Sequence, residues 1–180
     1  MKQILTACFM VLFSGCSAVY SPRPIGDKPT NIQSKQDEWE GTWTHTDGAI
    51  TVKVVDGSNG VLKVGWVQED RGDLKCEMAD VYLRDGGGWT FASTKPQSET
   101  NENRYIWARV KKEERIAIFW GPDVKKFKAL VQKGKLPGAV DGSDVVLGTL
   151  ASNHLELITS ETNGVLFDWD EPLVLMKTGK

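Results

Sequence analysis

From residue 39 onward the apolar positions recur every second residue in short runs, and glycine, asparagine and aspartate separate the runs. Ile50, Val52 and Val54 alternate with Thr51 and Lys53, Asp56-Gly57-Ser58-Asn59-Gly60 turns the chain, and Leu62, Val64 and Trp66 follow on one face. This pattern predicts a β-hairpin with one buried face. In the next run, 74–84, Leu74, Cys76 and Met78 share one parity while Val81 and Leu83 take the other, which predicts a bulge or bend near Ala79-Asp80. Asp85-Gly86-Gly87-Gly88 then leads into a short strand with Trp89 and Phe91. The polar stretch 93–103, which includes Pro96, predicts a mobile surface loop. Two strong strands follow, the first setting Tyr105 and Trp107 against Ile106, Ala108 and Val110, the second carrying Ile116, Ile118 and Trp120.

The period changes once. Over 122–134, Val124, Phe127, Leu130 and Val131 fall on one helical face, Pro122 suits a helix start and Gly134 a helix end. Strands are expected again at 145–150, 155–159, 165–167 and 173–176. Together these elements predict an all-β fold: an antiparallel up-and-down barrel of about 8–10 short strands with one amphipathic helix. Closure into a barrel removes exposed strand edges; a two-sheet β-sandwich is the alternative.

The residues before 39 differ in kind. Residues 17–38 contain Pro22, Pro24 and Pro29, are largely polar and show no apolar period, which predicts a flexible tether spanning about 26 Å. At the start, Lys2 precedes an apolar run over 4–13, and small residues lead to Cys16. That is the outline of a secretory signal peptide, too short in its apolar part to span a bilayer. Ending in Ser14-Gly15-Cys16, the segment resembles the lipobox of bacterial lipoproteins, with Phe13 where that family prefers Leu, Val or Ile. The resemblance implies cleavage after Gly15 and a lipid anchor on Cys16, a diacylglycerol thioether with an acyl chain such as palmitate on the new amino group. Ser17, rather than Asp, after the cysteine implies sorting to the outer membrane, on the periplasmic face. The expected organisation is therefore a signal peptide over 1–15, a lipidated N-terminus and tether over 16–38, and a single β-barrel domain over 39–180.

Removal of 1–15 takes away Lys2, so 21 basic residues face 24 acidic ones, a formal charge of −3. Such a balance lacks the clustered basic excess that nucleic-acid binding demands. Lys125, Lys126, Lys128, Lys133 and Lys135 form a local basic group, read first as a solvated helix face and second as a contact for anionic lipid head groups. With Cys8 cleaved and Cys16 lipidated, Cys76 is the only thiol left, so no internal disulfide can form. Its alternation with Leu74 and Met78 predicts a small buried hydrophobe.

Gly41-Thr42-Trp43 opens the first barrel strand and resembles the Gly-x-Trp signature of lipocalins. In that family the tryptophan plugs the closed end of the barrel beneath an arginine from near the C-terminus. Here the last strand offers Lys177, the Thr-Asp-Tyr signature is missing, and the helix precedes the last strands instead of following them. Of the seven tryptophans, those at 43, 66, 89, 107 and 120 lie in predicted strands, as core or as the wall of a ligand cavity. Trp66, Trp107 and Trp120 are the ligand-binding candidates.

For catalysis the inventory is poor. His45 and His154 are far apart and lack a paired metal-ligand spacing, and His45 with Asp47 reads as a polar pair before a turn. No Gly-x-Ser-x-Gly elbow occurs. Asp168-Trp169-Asp170-Glu171 lacks the glycine-punctuated loop of a calcium site, and Arg71-Gly72-Asp73 reads as a chance match to an adhesion motif. No catalytic residue, metal or cofactor is expected. Two functions follow: a membrane-anchored, non-catalytic interaction or envelope-accessory module with an envelope protein as partner, or a lipocalin-like carrier or sensor of a small apolar ligand.

Overall fold

Alternation of the kind seen in 50–66 continues far enough around the chain to close a sheet on itself. The structure, a computed structural model, describes residues 17–46, 48–70, 72–96, 104–160 and 166–179. Residues 1–16, with the expected signal peptide and Cys16, as well as Asp47, Arg71, residues 97–103 of the expected loop and Val165, lie outside the described residues. In chain order the elements are β1 (Val19–Tyr20), β2 (Lys28–Pro29), α1 (Gln36–Trp39), β3 (Gly41–His45), β4 (Gly48–Asp56), β5 (Val61–Asp70), β6 (Asp73–Gly86), β7 (Trp89–Thr94), β8 (Ile106–Glu113), β9 (Ile116–Trp120), α2 (Val124–Gln132), β10 (Gly138–Asp141), β11 (Asp144–Leu147), α3 (Ser152–Thr159) and β12 (Leu173–Gly179).

Strands β3 to β9 pair each with the next, β12 joins β9 to β3, and the result is a closed antiparallel barrel of eight strands. Its interior is apolar: Ile50, Val52 and Val54 of β4 face Leu62, Val64 and Trp66 of β5, with Ala108, Val110, Phe119, Leu173 and Leu175 opposite. Ile32 and Trp39, from the turn and helix before β3, join this core and cap one end of the barrel. The loop after β4 is held by Asp56, whose carboxylate accepts from the Ser58 amide at 3.1 Å and the Ser58 hydroxyl at 2.6 Å. It also takes the Asn59 amide at 3.1 Å and the Asn59 side chain at 2.7 Å. Gly60 closes that loop at φ +64°, a conformation glycine adopts without strain.

The chain between β9 and β12 leaves the barrel. There β10, β11 and β1 form a separate three-stranded sheet, with β1 parallel to β11. Together with α2 and α3 this sheet covers the outer face of β7 to β9, burying a second core of Val19, Phe91, Trp107, Phe127, Val145, Ile158 and Phe167.

Five expectations are corrected. Residues 17–38 are no tether: Val19 and Ile25 are 1% and 3% exposed, β1 pairs with β11, and β2 pairs with β6. These pairings are distant in sequence and leave no local period. Residues 155–159 belong to α3, where Leu155 and Ile158 are buried three apart, so the fold has more than one helix packed on it. Their apolar residues fit either period over so short a run. Ser93, at the start of the expected loop, is a buried β7 residue whose hydroxyl accepts from the Ile25 amide at 3.1 Å. Finally, β5 and β6 pair without a shift from Val61↔Tyr82 to Asp70↔Asp73, so the phase change in β6 is no bulge. Leu74, Cys76 and Met78 simply face outward, and Cys76 is exposed.

Candidate binding surface

The barrel interior is filled. Trp39, Trp43, Phe119 and Leu175 line a remaining space of about 20 Å³. One ordered water needs about 10–15 Å³ and a small-molecule site about 300 Å³ or more. Trp66 belongs to this interior, whereas Trp107 and Trp120 point outward into the second core. The three ligand candidates are thus not brought together. In β8 the alternation sends Ala108 and Val110 inward and Trp107 outward, so strand parity separates tryptophans that sequence alone grouped.

At the capped end, Trp43 is 1% exposed and its indole N–H donates to the Trp39 carbonyl at 2.8 Å. A cation lies over it, but from β8: the Lys112 ammonium is 5.5 Å from the Trp43 ring and 5.9 Å from Trp39. Burial, the largest cause, pushes the Lys112 pKa below its usual value, while Glu38 at 3.9 Å pulls the other way. Lys177, the residue that the lipocalin resemblance brought forward, pairs in register with Trp43 and donates its ammonium to the Asp37 carbonyl.

On the outer face, the Arg109 guanidinium lies 3.7 Å from the Trp89 ring, 4.8 Å from Trp169 and 5.4 Å from Trp120. An aromatic box of this kind attracts cations. Here a side chain of the same protein fills it, which makes it a packing device. The signal was legible: Arg109 shares the parity of Trp107 and lies opposite Trp120 in the β8–β9 register.

The polar candidates scatter. His45 lies beside the Thr46 hydroxyl on β3, and His154 accepts the Ala151 amide at the start of α3. Asp168 follows the Pro122–Phe167 bridge, and its amide donates to the Gly121 carbonyl at 2.9 Å. Among the described residues, no group of three or more His, Cys, Asp or Glu side chains is placed to hold a metal ion. A groove of about 480 Å³ runs between residues 21–27 and α3. Its arginines are engaged with backbone, Arg84 with the Gly26 and Asp27 carbonyls and Arg23 with that of Leu150.

The β5–β6 hairpin is the distinctive surface. Pairing between β4 and β5 ends at Ile50↔Trp66, and pairing between β6 and β7 begins at Val81↔Thr94. Over the intervening residues the hairpin runs on past the barrel, away from the end that α1 caps. Cross-strand register puts Val67 opposite Cys76, with Leu74 and Met78 on the same outer face. Leu74 is 77% exposed, and Val67 and Met78 are each 60% exposed. Together they leave apolar side chains in solvent on one face of the hairpin. Sequence reasoning expected Cys76, in alternation with Leu74 and Met78, to be buried; all three are exposed.

No family model, no curated protein and no solved structure matches this chain. No helix among the described residues is long and apolar enough to cross a membrane.

Proposed function

We propose that this protein is a lipid-anchored, periplasm-facing interaction module whose contact surface is the outer face of the β5–β6 hairpin. The observation that carries this reading is the contrast between the two apolar regions a ligand or partner could use. The interior has space of about 20 Å³, while Val67, Leu74 and Met78 stand in solvent. A carrier of apolar molecules needs an empty cavity; a protein-binding module needs an exposed patch.

The anchor is Cys16, next to Ser17. Because the Ala18 amide donates to Asp144 Oδ1 at 2.7 Å and Val19 is buried, an anchor there holds the domain directly against a membrane, without a spacer. Two or more acyl chains make such attachment permanent.

Both halves can be tested on the full chain in a bacterial envelope. A photo-crosslinking amino acid at position 67 or 74 is expected to capture a protein, and the same probe at the exposed Thr51 on the barrel wall to capture none. Absence of any hairpin product, together with a small molecule released from the native protein on denaturation, would reverse the reading in favour of the carrier. Palmitate incorporation should disappear in Cys16→Ala.

A further inference from the structure

The geometry points to the outer face of α2 as a second membrane contact, one that takes anionic phospholipid head groups and fixes how the domain lies on the bilayer. This inference rests on the reading of Cys16 as the lipid anchor. Between Asp123 and Asp141 the chain holds five lysines and no acidic residue. In α2, Phe127 is fully buried in the second core with Val124, Leu130 and Val131 packed beside it, while Lys125 is exposed and Lys128 half-buried; Lys133 and Lys135, just past the helix end, are exposed. Lys126 is held by Asp123 at 3.3 Å, at the helix start.

Two observations select a lipid surface as the occupant. The first is charge: an acid-free run of lysines along α2 and the turn that follows it complements anionic head groups, each near-surface lysine adding about fivefold to partitioning. The second is where the chain enters the fold. Ser17 leads into β1, β1 lies along β11, and β11 packs against α2, all around one core. The segment beyond Ser17, which ends in the anchor, therefore arrives at the same sub-structure that carries the lysines. With no tether between them, an anchored domain brings this lobe to the head-group layer.

The test uses two measurements. The body beginning at Ser17 carries both cores, so residues 17–180 without lipid are mixed with vesicles of phosphatidylcholine containing about a quarter phosphatidylglycerol, and with phosphatidylcholine alone. Binding is expected only to the anionic vesicles, weakening in high salt and falling at least about fivefold for each of K125E, K128E, K133E and K135E. Equal partitioning into both vesicles, or reversals without effect, would overturn the inference. In the second measurement the full lipidated chain is reconstituted into the same two vesicles and labelled with a water-soluble amine reagent. Lysines of α2 should react several-fold more slowly on the anionic surface, while Lys63 on the barrel wall is unchanged; identical labelling counts against it. Palmitate labelling at Cys16 is read separately. An acylated Cys16 with α2 lysines indifferent to lipid charge removes this inference and leaves the anchor standing, and an unacylated Cys16 removes both.

Discussion

Lys112 reaches from β8 to hold its ammonium 5.5 Å from the ring of Trp43 at the capped end of the barrel. Its side chain is 10% exposed, and the head donates to the Glu114 carbonyl. Burial disfavours the charged form, so the folded protein releases this proton at lower pH than the unfolded chain, whose value is near 10.5. Where the unfolded state binds more protons, stability rises with pH. We therefore expect a gain in stability as pH climbs through the interval from the lowered pKa to 10.5, and its absence in Lys112→Met. Urea unfolding at several alkaline pH values measures it.

Trp43 and Trp66 share the barrel core but differ in one hydrogen bond. The Trp43 N–H has the Trp39 carbonyl at 2.8 Å, whereas the Trp66 N–H is buried with no acceptor among the described residues. Phenylalanine at 43 strands an acceptor; at 66 it removes an unsatisfied donor. W43F should be the more destabilising by about 1–3 kcal/mol. Equal unfolding midpoints for the two variants would contradict this.

Hydrogen bonds from Asn59 and then Ser58 hold the Asp56 carboxyl at a pKa of about 2, below the usual 3.8. A depressed carboxylate stabilises the fold above its unfolded value, and that contribution is lost as pH falls through the folded one. Acid titration should show wild type losing stability between 3.8 and about 2. D56A should lose less over that window and be weaker at neutral pH.

A chain starting at Trp39, the boundary suggested by composition, should not fold stably. It lacks Val19, Ile25 and Ile32, all buried, along with β1 and β2. Each such side chain contributes about 1.5–3 kcal/mol, against a total stability of about 5–15 kcal/mol for a domain. Circular dichroism melts of 17–180 and 39–180 provide the comparison.

On the hairpin, V67D and L74D should leave stability within about 0.5 kcal/mol of wild type, because both side chains are already in water. Both should abolish the crosslinked product expected from this face. A large loss of stability would mean that the outer face packs against something within the protein.

The barrel was readable because its cause is local. Ile50, Val52, Val54, Leu62, Val64 and Trp66 must all bury one face, and a glycine-bearing turn joins them, so alternation and punctuation suffice. The helix over α2 was readable for the same reason. At Leu74, Cys76 and Met78 the alternation was read correctly but its direction was not, since parity does not say which face meets solvent. Leu155 and Ile158 suited either period, and the second core decided for a helix.

By itself the sequence determined the antiparallel meander and the amphipathic α2, since each follows from neighbours along the chain. Tertiary structure decided the rest. It set the N-terminal segment against β11, placed Trp107 and Trp120 outside the barrel and Trp66 inside, filled the aromatic box with Arg109, and carried β5–β6 past the barrel. Those outcomes depend on which surfaces meet across long sequence separations, and burial against a distant partner leaves no period in the residues it orders.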